Sequence, residues 1–235
     1  MATLRAKVRG MKVIAVMPAY KERSRIVAAI SDIQPMVDQI VVVADGSDDG
    51  TAEEARKTDA IVLMHAINRG QGAALKTGTE AALKLGADII VHIDADGQQD
   101  PQAIPKLITP LKEGKADVVF GSRFLGIPPE GMPMVRRAVL ILGKLFSQFV
   151  LGIPRQMTDP QSGLRAMTSV AARQVDFKQD RMAHCSEILR LVTRSDLRWT
   201  EVPVRVSYTQ ATLAKGNQTS DAFRIVWHLF LGIFQ

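Results

Sequence analysis

The chain has 235 residues, of which 46% are hydrophobic and 23% are charged, and its formal net charge is +6. This composition excludes a disordered or fibrous chain and is typical of a globular protein with a sizeable core. The single cysteine, Cys185, excludes an internal disulfide framework. No apolar core follows the basic residues 1–11, so we expect a basic N-terminal tail and no signal peptide.

Positive charge is concentrated in two windows of the chain. Residues 1–21 contain five lysines and arginines, residues 131–158 contain four, and neither window contains Asp or Glu. A basic stripe suits nucleic acid, an anionic membrane or a phosphorylated ligand. Aromatic residues make up only 5% of the chain and are not interleaved with the basic ones, so we expect no nucleic-acid partner.

Short apolar runs alternate with helical patterns over the first 120 residues. The runs predict buried strands at residues 13–18, 40–46, 60–65, 89–97 and 117–123. The patterns between them predict helices at residues 24–33, 51–58, 72–86 and 101–114. Val/Ile-rich strands joined by helices predict an α/β, Rossmann-like fold, a mainly parallel sheet with helices on both faces. Ligands bind such sheets at the carboxyl ends of the strands.

Two aspartates follow the fourth predicted strand, in the sequence IDADGQQ. Asp94 and Asp96 would project from the same side of an extended chain, where two ionised carboxylates repel each other. A divalent cation would remove that conflict, and hard oxygen ligands, with Gln98 as a third, favour Mg²⁺ or Mn²⁺. The alternative is a solvated turn with a helix cap at Asp100.

Polar residues also follow the first two predicted strands. Tyr20 and Glu22 bring a ring that can stack and a carboxylate to the end of the first strand. Asp45 ends the second strand, where it could accept hydrogen bonds from a nucleobase or ribose, or could simply form part of a turn. The glycine-rich turn at residues 68–78 is weak evidence for phosphate binding at a helix N-terminus.

The second basic window coincides with an amphipathic helical pattern at residues 133–153. Its charged residues are all basic and most of its remaining surface is apolar, which suits the surface of an anionic membrane. Ordinary core packing is the alternative. A second apolar amphipathic helix is predicted at residues 221–235, and neither segment has the roughly 20 uncharged apolar residues of a membrane span.

Nine short motifs occur in the order and spacing of a known family. They are PAYKE, VVADGSDDGT, NRGQGAALKTG, IDADGQQDP, VVFGSRF, VRR, TDPQSGLRA, EVPV and YTQATLAKGNQ. Together they resemble family 2 glycosyltransferases with the GT-A fold, and within that family the dolichol-phosphate mannosyltransferase-like enzymes that use polyprenyl-phosphate acceptors. The resemblance runs over residues 12–220, which we treat as one GT-A domain followed by the C-terminal interface helix.

The resemblance implies roles for residues at matching positions. Those that would hold the sugar donor are Pro18, Tyr20, Glu22, Asp45, Asp94 and Ala95. The implied metal ligands are Asp94, Asp96 and Gln98. The implied contacts to the acceptor phosphate are Arg123, Arg136, Arg137, Arg165 and Lys215. The residues implied at the reaction centre are Asp96, Arg123, Arg137 and Asp159, with Arg165 beside Asp159.

Three departures from the family pattern leave the donor open. Ala44 stands where the family usually has the first of two acids, and Lys21 stands where it usually has Asn. Near the C-terminus, residues 213–220 replace an arginine-glycine-serine-lysine segment that is common in the subgroup.

The resemblance implies an inverting, metal-dependent hexosyltransferase. It would move a hexose from a nucleotide sugar of the GDP-mannose or UDP-glucose type to a polyprenyl or dolichyl phosphate. It would act as a peripheral protein at the cytoplasmic face of a membrane, as a possible homo-oligomer. Two alternatives stay open, which are transfer to a small soluble acceptor and a non-catalytic module that binds a nucleotide sugar.

Overall fold

One seven-stranded sheet organises the part of the chain that the computed structural model describes, residues 10–126, 132 and 134–206. The strands are β1 (Val13–Ala19), β2 (Gln39–Asp45), β3 (Ile61–His65), β4 (Ile89–His92), β5 (Val118–Ser122), β6 (Arg165–Thr168) and β7 (Trp199–Pro203). Their order across the sheet is β3-β2-β1-β4-β6-β5-β7. Strand β6 runs antiparallel to both neighbours and the other pairs are parallel, so the mainly parallel sheet is confirmed.

Helices cover both faces of the sheet, as the sequence predicts. They are α1 (Ile26–Ile33), α2 (Thr51–Ala55), α3 (Gln71–Lys84), α4 (Ile104–Lys112), α5 (Met134–Phe149), α6 (Ser169–Gln174) and α7 (His184–Thr193). Short 3₁₀ turns lie at Gln34–Met36 and Pro101–Ala103.

Alternate residues of β1 enter two separate cores. Val13, Ala15 and Met17 pack on one face with apolar residues of α1 and α4. Ile14 and Val16 pack on the other face with α3 and α7. Because successive side chains of a strand point to opposite faces, a wholly apolar strand such as β1 requires cover on both sides.

The strand order reverses direction beside β1, which locates a crevice. From β1 the chain builds β2 and then β3 on one side, and β4 then pairs with the other side of β1. In open α/β sheets the ligand crevice lies at the carboxyl ends of the strands at such a reversal. The crevice therefore lies beyond Ala19 and His92.

The fourth strand is shorter than predicted. It ends at His92 rather than at residue 97, and a turn follows at residues 95–97. Gly97 has φ +72°, and the Asp96 carboxylate accepts a hydrogen bond from the Gln98 N–H at 2.9 Å. The premise that Asp94 and Asp96 share one side of an extended strand is therefore wrong, because a tight turn brings them together instead.

Two strands lie where no strand was predicted. Strand β6 has only four residues, begins with a buried arginine, and inserts between β4 and β5. Strand β7 has no apolar run and is half-buried along its length. Residues 1–9 and 207–235, with Lys215 and the predicted helix at residues 221–235, lie outside the described residues.

Candidate active site

Asp94 is held by two glutamine side chains just beyond the end of β4. Its Oδ1 accepts a hydrogen bond from Gln71 Nε2 at 2.6 Å, and its Oδ2 accepts one from Gln99 Nε2 at 2.8 Å. Gln99 closes a ring by accepting the Asp94 N–H through its own Oε1 at 3.1 Å. The carboxylate is thereby fixed in position with a lone pair left on each oxygen.

Burial and Asp96 both raise the pKa of Asp94, to about 6, against the opposing effect of Arg165 and His184. Burial is the larger cause, because desolvation disfavours the charged form. Asp96 lies close enough across the turn at residues 95–97 for its charge to act on Asp94. Of the two basic residues that lower the pKa of Asp94, Arg165 has the larger effect.

These carboxylates fit Mg²⁺ or Mn²⁺ better than a softer metal. Both offer hard oxygen atoms, and among the described residues no cluster of three or more His, Cys, Asp or Glu side chains could hold an ion by itself. Mg²⁺ is normally bound through one or two carboxylates together with substrate phosphates. Two carboxylates together with the phosphates of a ligand therefore match the oxygen ligands that Mg²⁺ normally has. The role of Gln98 as a third protein ligand stays a prediction.

Asp45 organises the loop after β3. Its carboxylate accepts hydrogen bonds from the Arg69 N–H at 3.0 Å, from the Gly70 N–H at 2.7 Å and from His65 Nδ1 at 2.6 Å. The other ring nitrogen of His65 lies 2.9 Å from the Thr77 hydroxyl. A carboxylate has about four acceptor positions, so most of its capacity is used within the protein. Its contact with a nucleoside stays a prediction.

The loops after β1 and β2 are joined by three successive backbone donors. The N–H of Lys21 donates to Ser47 Oγ at 3.1 Å, that of Glu22 to Thr51 Oγ1 at 2.9 Å, and that of Arg23 to an Asp49 carboxylate oxygen at 3.3 Å. Beside this junction the ring of Tyr20 is 45% exposed and so can stack on a ligand. Of the other residues implied in donor binding, Pro18 and Ala95 are buried, and Glu22 is 9% exposed.

Arg123 and Asp159 form a bidentate ion pair beyond the end of β5. Arg123 Nε and Nη2 donate to the two oxygens of Asp159, each at 2.7 Å, and the Arg123 N–H adds a third bond at 3.0 Å. Asp159 is 1% exposed and Arg123 is 9% exposed. The fork geometry fixes the guanidinium plane, so Asp159 orients Arg123.

Glu201 of β7 fixes the loop that carries Asp159. Its Oε1 accepts the Asp159 N–H at 3.0 Å, and its Oε2 accepts the N–H and hydroxyl of Thr158 at 2.8 and 2.9 Å. The sequence indicated EVPV only as a family motif, without a role for Glu201. The chain of contacts from Glu201 through Asp159 to Arg123 became evident once β7 was placed beside β5.

The loop of residues 158–164 connects the ion pair to the carboxylates. It begins at the Arg123–Asp159 pair, and at its other end a Cβ on Gly163 would lie 2.9 Å from Asp94 Oδ2. The Leu164 carbonyl then accepts the Gly121 N–H of β5 at 2.9 Å. Only a glycine allows this close approach to Asp94. The loop therefore links Asp94, a predicted metal ligand, to Arg123, a predicted phosphate ligand.

Arg165 lies beneath this site and not at its surface. It is 1% exposed, and its Nε donates to His92 Nδ1 at 3.1 Å, while its Nη2 has no hydrogen-bond partner. His92 Nε2 then donates to Thr79 Oγ1 at 2.8 Å, since that hydroxyl donates onward to the Leu75 carbonyl at 2.7 Å. Burial and Arg165 hold the pKa of His92 well below its usual value, so the ring is neutral. Arg165 is thus buried and acts on Asp94 through its charge, and direct contact with an acceptor phosphate is the less accessible role.

Cys185 and His184 begin helix α7 close to the same cluster. Cys185 Sγ lies 3.3 Å from His184 Nε2, and His184 Nδ1 donates to the Arg181 carbonyl at 2.7 Å. His184 and Arg165 lower the pKa of the thiol to about 7, although burial alone would raise it. No pattern in the sequence predicted that this pair would act on the site.

Helix α5 follows β5 and turns its large apolar residues outward. It packs inward through small residues, because Gly143 and Ser147 are buried and a Cβ on Gly143 would meet Gln161. The exposed apolar residues are Met134, Ile141, Leu142, Leu145 and Phe149. Arg137 is exposed on this helix, whereas the side chain of Arg136 lies outside the described part. Within the described ranges, none of the helices has the length and hydropathy that a membrane span requires.

Known proteins are similar to this chain in sequence and in fold. A family model described as Glycosyl transferase family 2 matches residues 14–162. A UDP-N-acetylglucosamine–dolichyl-phosphate N-acetylglucosaminyltransferase of Methanococcus voltae is 34% identical, over 92% of this chain and 94% of the relative. A dolichol-phosphate mannosyltransferase of Pyrococcus furiosus is 31% identical, over 71% of this chain and 49% of the relative.

Solved structures support the same fold. The crystal structure of glucosyl-3-phosphoglycerate synthase from Mycobacterium tuberculosis in complex with Mn²⁺, uridine diphosphate and glucosyl-3-phosphoglycerate has a TM-score of 0.73 and 22% identity. The match covers 94% of this chain and 78% of that one. The chain has a GT-A-like fold and belongs to glycosyltransferase family 2, with relatives named for sugar transfer to dolichyl and polyprenyl phosphates.

Proposed function

We propose that this protein is an inverting, metal-dependent glycosyltransferase that moves a hexose from a nucleotide sugar of the GDP-mannose or UDP-glucose type to a polyprenyl or dolichyl phosphate. The observation that carries the proposal is the loop of residues 158–164. It approaches the carboxylate of Asp94 at one end and carries the Asp159 partner of Arg123 at the other. One end suits a donor diphosphate and the other an anionic acceptor.

Arg123 and Asp159 would position the acceptor. The lipid phosphate is already an anionic nucleophile near neutral pH, so orientation matters more than a strong base. An oxygen of that phosphate attacks the anomeric carbon, and the bond from this carbon to the donor diphosphate breaks with its electron pair leaving on the nucleoside diphosphate. Attack from the opposite side inverts the anomeric centre. Asp159 holds the guanidinium plane of Arg123 in one orientation through two hydrogen bonds of 2.7 Å.

Asp94 and Asp96 would hold Mg²⁺ or Mn²⁺ against the donor diphosphate. Such an ion, when bound, stabilises the negative charge that develops on the leaving group. The amides of Gln71 and Gln99 fix Asp94 before the ligand arrives. This preorganisation limits the reorganisation that binding would otherwise require.

The membrane surface is the proposed place of action, at the cytoplasmic face and as a peripheral protein. Helix α5 supports this proposal, because Leu142, Leu145 and Phe149 are exposed on one side of it beside basic residues. An apolar face flanked by lysine and arginine favours binding to an anionic interface. A polyprenyl acceptor would be presented at that interface.

Calorimetric titration of nucleoside-diphosphate sugars with Mn²⁺ tests the donor half of the proposal. We expect at least one donor to bind with Mn²⁺ and to bind more weakly, by about tenfold or more, after Asp96→Asn. Asp100→Asn is the matched control, because Asp100 caps the 3₁₀ turn through the Gln102 N–H and Asn can do the same. Metal-independent binding, or equal loss in both variants, would contradict the proposal.

A further inference from the structure

Three hydrogen-bond donors converge on the carboxylate of Glu201 from two consecutive residues of the loop after α5. Its Oε1 accepts the Asp159 N–H at 3.0 Å, and its Oε2 accepts the N–H and the hydroxyl of Thr158 at 2.8 and 2.9 Å. Glu201 is half-buried in β7, where it pairs with Phe120 of β5. Both oxygens are therefore in use, and a carboxylate suits this arrangement because it only accepts hydrogen bonds.

Two hydroxyl groups extend this contact to the backbone on both sides of Arg123. Because the Thr158 hydroxyl donates to Glu201, it accepts from the hydroxyl of Ser122. The oxygen of Ser122 in turn accepts the Phe124 N–H at 3.2 Å. Ser122 is fully buried, so a hydroxyl left without its partner there would be costly. The residues before and after Arg123 are thus held by a chain of hydrogen bonds that ends at Glu201.

The same glutamate also holds the residue that orients the guanidinium of Arg123. Asp159 is 1% exposed and receives Nε and Nη2 of Arg123 at 2.7 Å each, and its own N–H is bound by Glu201. Both the backbone of Arg123 and its carboxylate partner are therefore attached to one side chain of β7. A displacement of about 1 Å in a positioning group can cost about a hundredfold in rate, so these contacts matter for a reaction that depends on Arg123.

The loop of residues 94–100, which carries the predicted metal ligands, is held by separate contacts. The Asp100 N–H donates to the Arg205 carbonyl at 3.3 Å, and Gln99 forms an antiparallel bridge with Val206. These are backbone contacts to the chain after β7 and do not involve the glutamate. A change confined to the glutamate side chain should therefore alter the Arg123 half of the site and leave the metal half in place.

We propose that Glu201 is a positioning residue for the transfer reaction, which sets the orientation of Arg123 by holding Asp159 and the backbone at residues 122–124. The inference rests on the proposed function, because there Arg123 positions the acceptor phosphate. Glutamine has the same shape as glutamate but only one acceptor oxygen, and its NH₂ group would face an N–H of Thr158 or Asp159. Glu201→Gln should therefore displace the loop while leaving the Arg123–Asp159 charges present.

Steady-state transfer from UDP-glucose or GDP-mannose to polyprenyl phosphate in vesicles with Mn²⁺ tests the inference, beside calorimetric titration of the same donor. We expect Glu201→Gln to lower kcat by about tenfold or more, with the donor Kd within about twofold of the wild-type value. Asp117→Asn is the matched control. Asp117 joins the opposite end of the β5–β7 pair by accepting from Nε and Nη2 of Arg198 at 3.0 and 2.9 Å, and we expect its variant to preserve transfer.

A double variant separates action through Arg123 from an independent effect. If Glu201 acts through Arg123, then Glu201→Gln combined with Arg123→Lys should transfer no more slowly than Arg123→Lys alone, whereas independent losses multiply. Wild-type kcat in Glu201→Gln, an equal loss of donor binding and transfer, or multiplied losses in the double variant would each overturn the inference and leave the proposed function standing. If the wild-type protein transfers no hexose to the lipid phosphate, the proposed function fails and the inference fails with it.

Discussion

The ionised side chain of Asp94 lowers the stability of the metal-free fold. Burial and the neighbouring Asp96 raise its pKa to about 6 from an ordinary value of 3.8. The folded protein therefore binds a proton at Asp94 more tightly than the unfolded chain does, so ionisation of this group destabilises the fold. The penalty is absent below about pH 4 and complete above about pH 6. The contribution of Asp94 to the stability of the metal-free protein therefore falls over this range as pH rises.

Asp94→Asn should stabilise the metal-free protein at pH 7. The change removes a partly buried charge, and an Asn side chain can still bond with Gln99 and, after rotation of the Gln71 amide, with Gln71. Because each unit of pKa shift corresponds to about 1.4 kcal/mol, we expect the free energy of unfolding to rise by about 1–3 kcal/mol at pH 7 and by little below pH 4. Urea unfolding in the presence of a chelator measures this, with Asp100→Asn as the control. A less stable Asp94→Asn at pH 7 would contradict the electrostatic account.

Cys185 should be unusually reactive for a half-buried thiol. Its Sγ lies 3.3 Å from His184 Nε2, and its pKa is lowered to about 7 by His184 and Arg165. Because the thiolate is the reactive form, the rate of alkylation by iodoacetamide should rise with a midpoint near pH 7. Cys185→Ser should abolish labelling, since the chain has one cysteine. A midpoint above about pH 8.5, the value of a free thiol, would show that His184 does not stabilise the thiolate.

At the residue scale, the sequence identified acidic groups more readily than the partners that hold them. Asp94, Asp96 and Asp159 follow apolar runs or stand in family motifs. The amides of Gln71 and Gln99 that fix Asp94 come from a helix and a loop that meet only in the folded chain. The role of Glu201 could not be predicted for the same reason, because it lies 42 residues from Asp159 in sequence.

At the scale of single elements, helix α5 exposes large apolar residues to solvent. Its fully buried residues, Gly143 and Ser147, are small, and Leu142 and Phe149 are 62% and 70% exposed. Arg155 lies over the ring of Phe149, with 5.8 Å between its guanidinium carbon and the ring centroid, which places a cation beside the apolar face. The sequence left core packing and membrane binding as alternatives for this helix. The outward position of its large apolar residues favours membrane binding.

Charged residues on the apolar face of α5 should weaken binding to anionic vesicles. We expect the wild-type protein to co-sediment with vesicles containing phosphatidylglycerol and much less with pure phosphatidylcholine. The double variant Leu142→Glu, Phe149→Glu should reduce the bound fraction by about tenfold, because each change removes apolar contact and adds repulsion. Val170→Glu is the matched control, since Val170 is 63% exposed on α6. Equal binding by all three proteins would rule out α5 as the membrane contact.

Strand lengths and strand types show where sequence patterns are informative at this scale. Strands β1, β2 and β3 were predicted within two residues, because each is an apolar run between turns. Strand β6 was missed because four residues with a buried arginine give no apolar period, and only its neighbours stabilise it. Strand β4 was predicted too long because the apolar run continues through Ile93, beyond the last paired residue, His92.

At the scale of the whole molecule, the strand order brings distant segments to one edge of the sheet. The reversal beside β1 places the loops after β1, β2 and β4 around one crevice, as the polar residues after these strands predicted. The insertion of β6 between β4 and β5 could not be predicted from local patterns. That insertion carries the loop of residues 158–164 from Arg123 to Asp94, and it is what makes one site of the two halves.

The most direct test measures transfer of labelled hexose from a nucleotide sugar to polyprenyl phosphate in vesicles. We expect label to enter the organic-extractable lipid phosphate only when Mg²⁺ or Mn²⁺ is present. Asp96→Asn and Arg123→Lys should each reduce transfer by about a hundredfold or more, with Asp100→Asn unchanged. Label that appears only on a small water-soluble acceptor, or lipid transfer that persists in Asp96→Asn, would contradict the account.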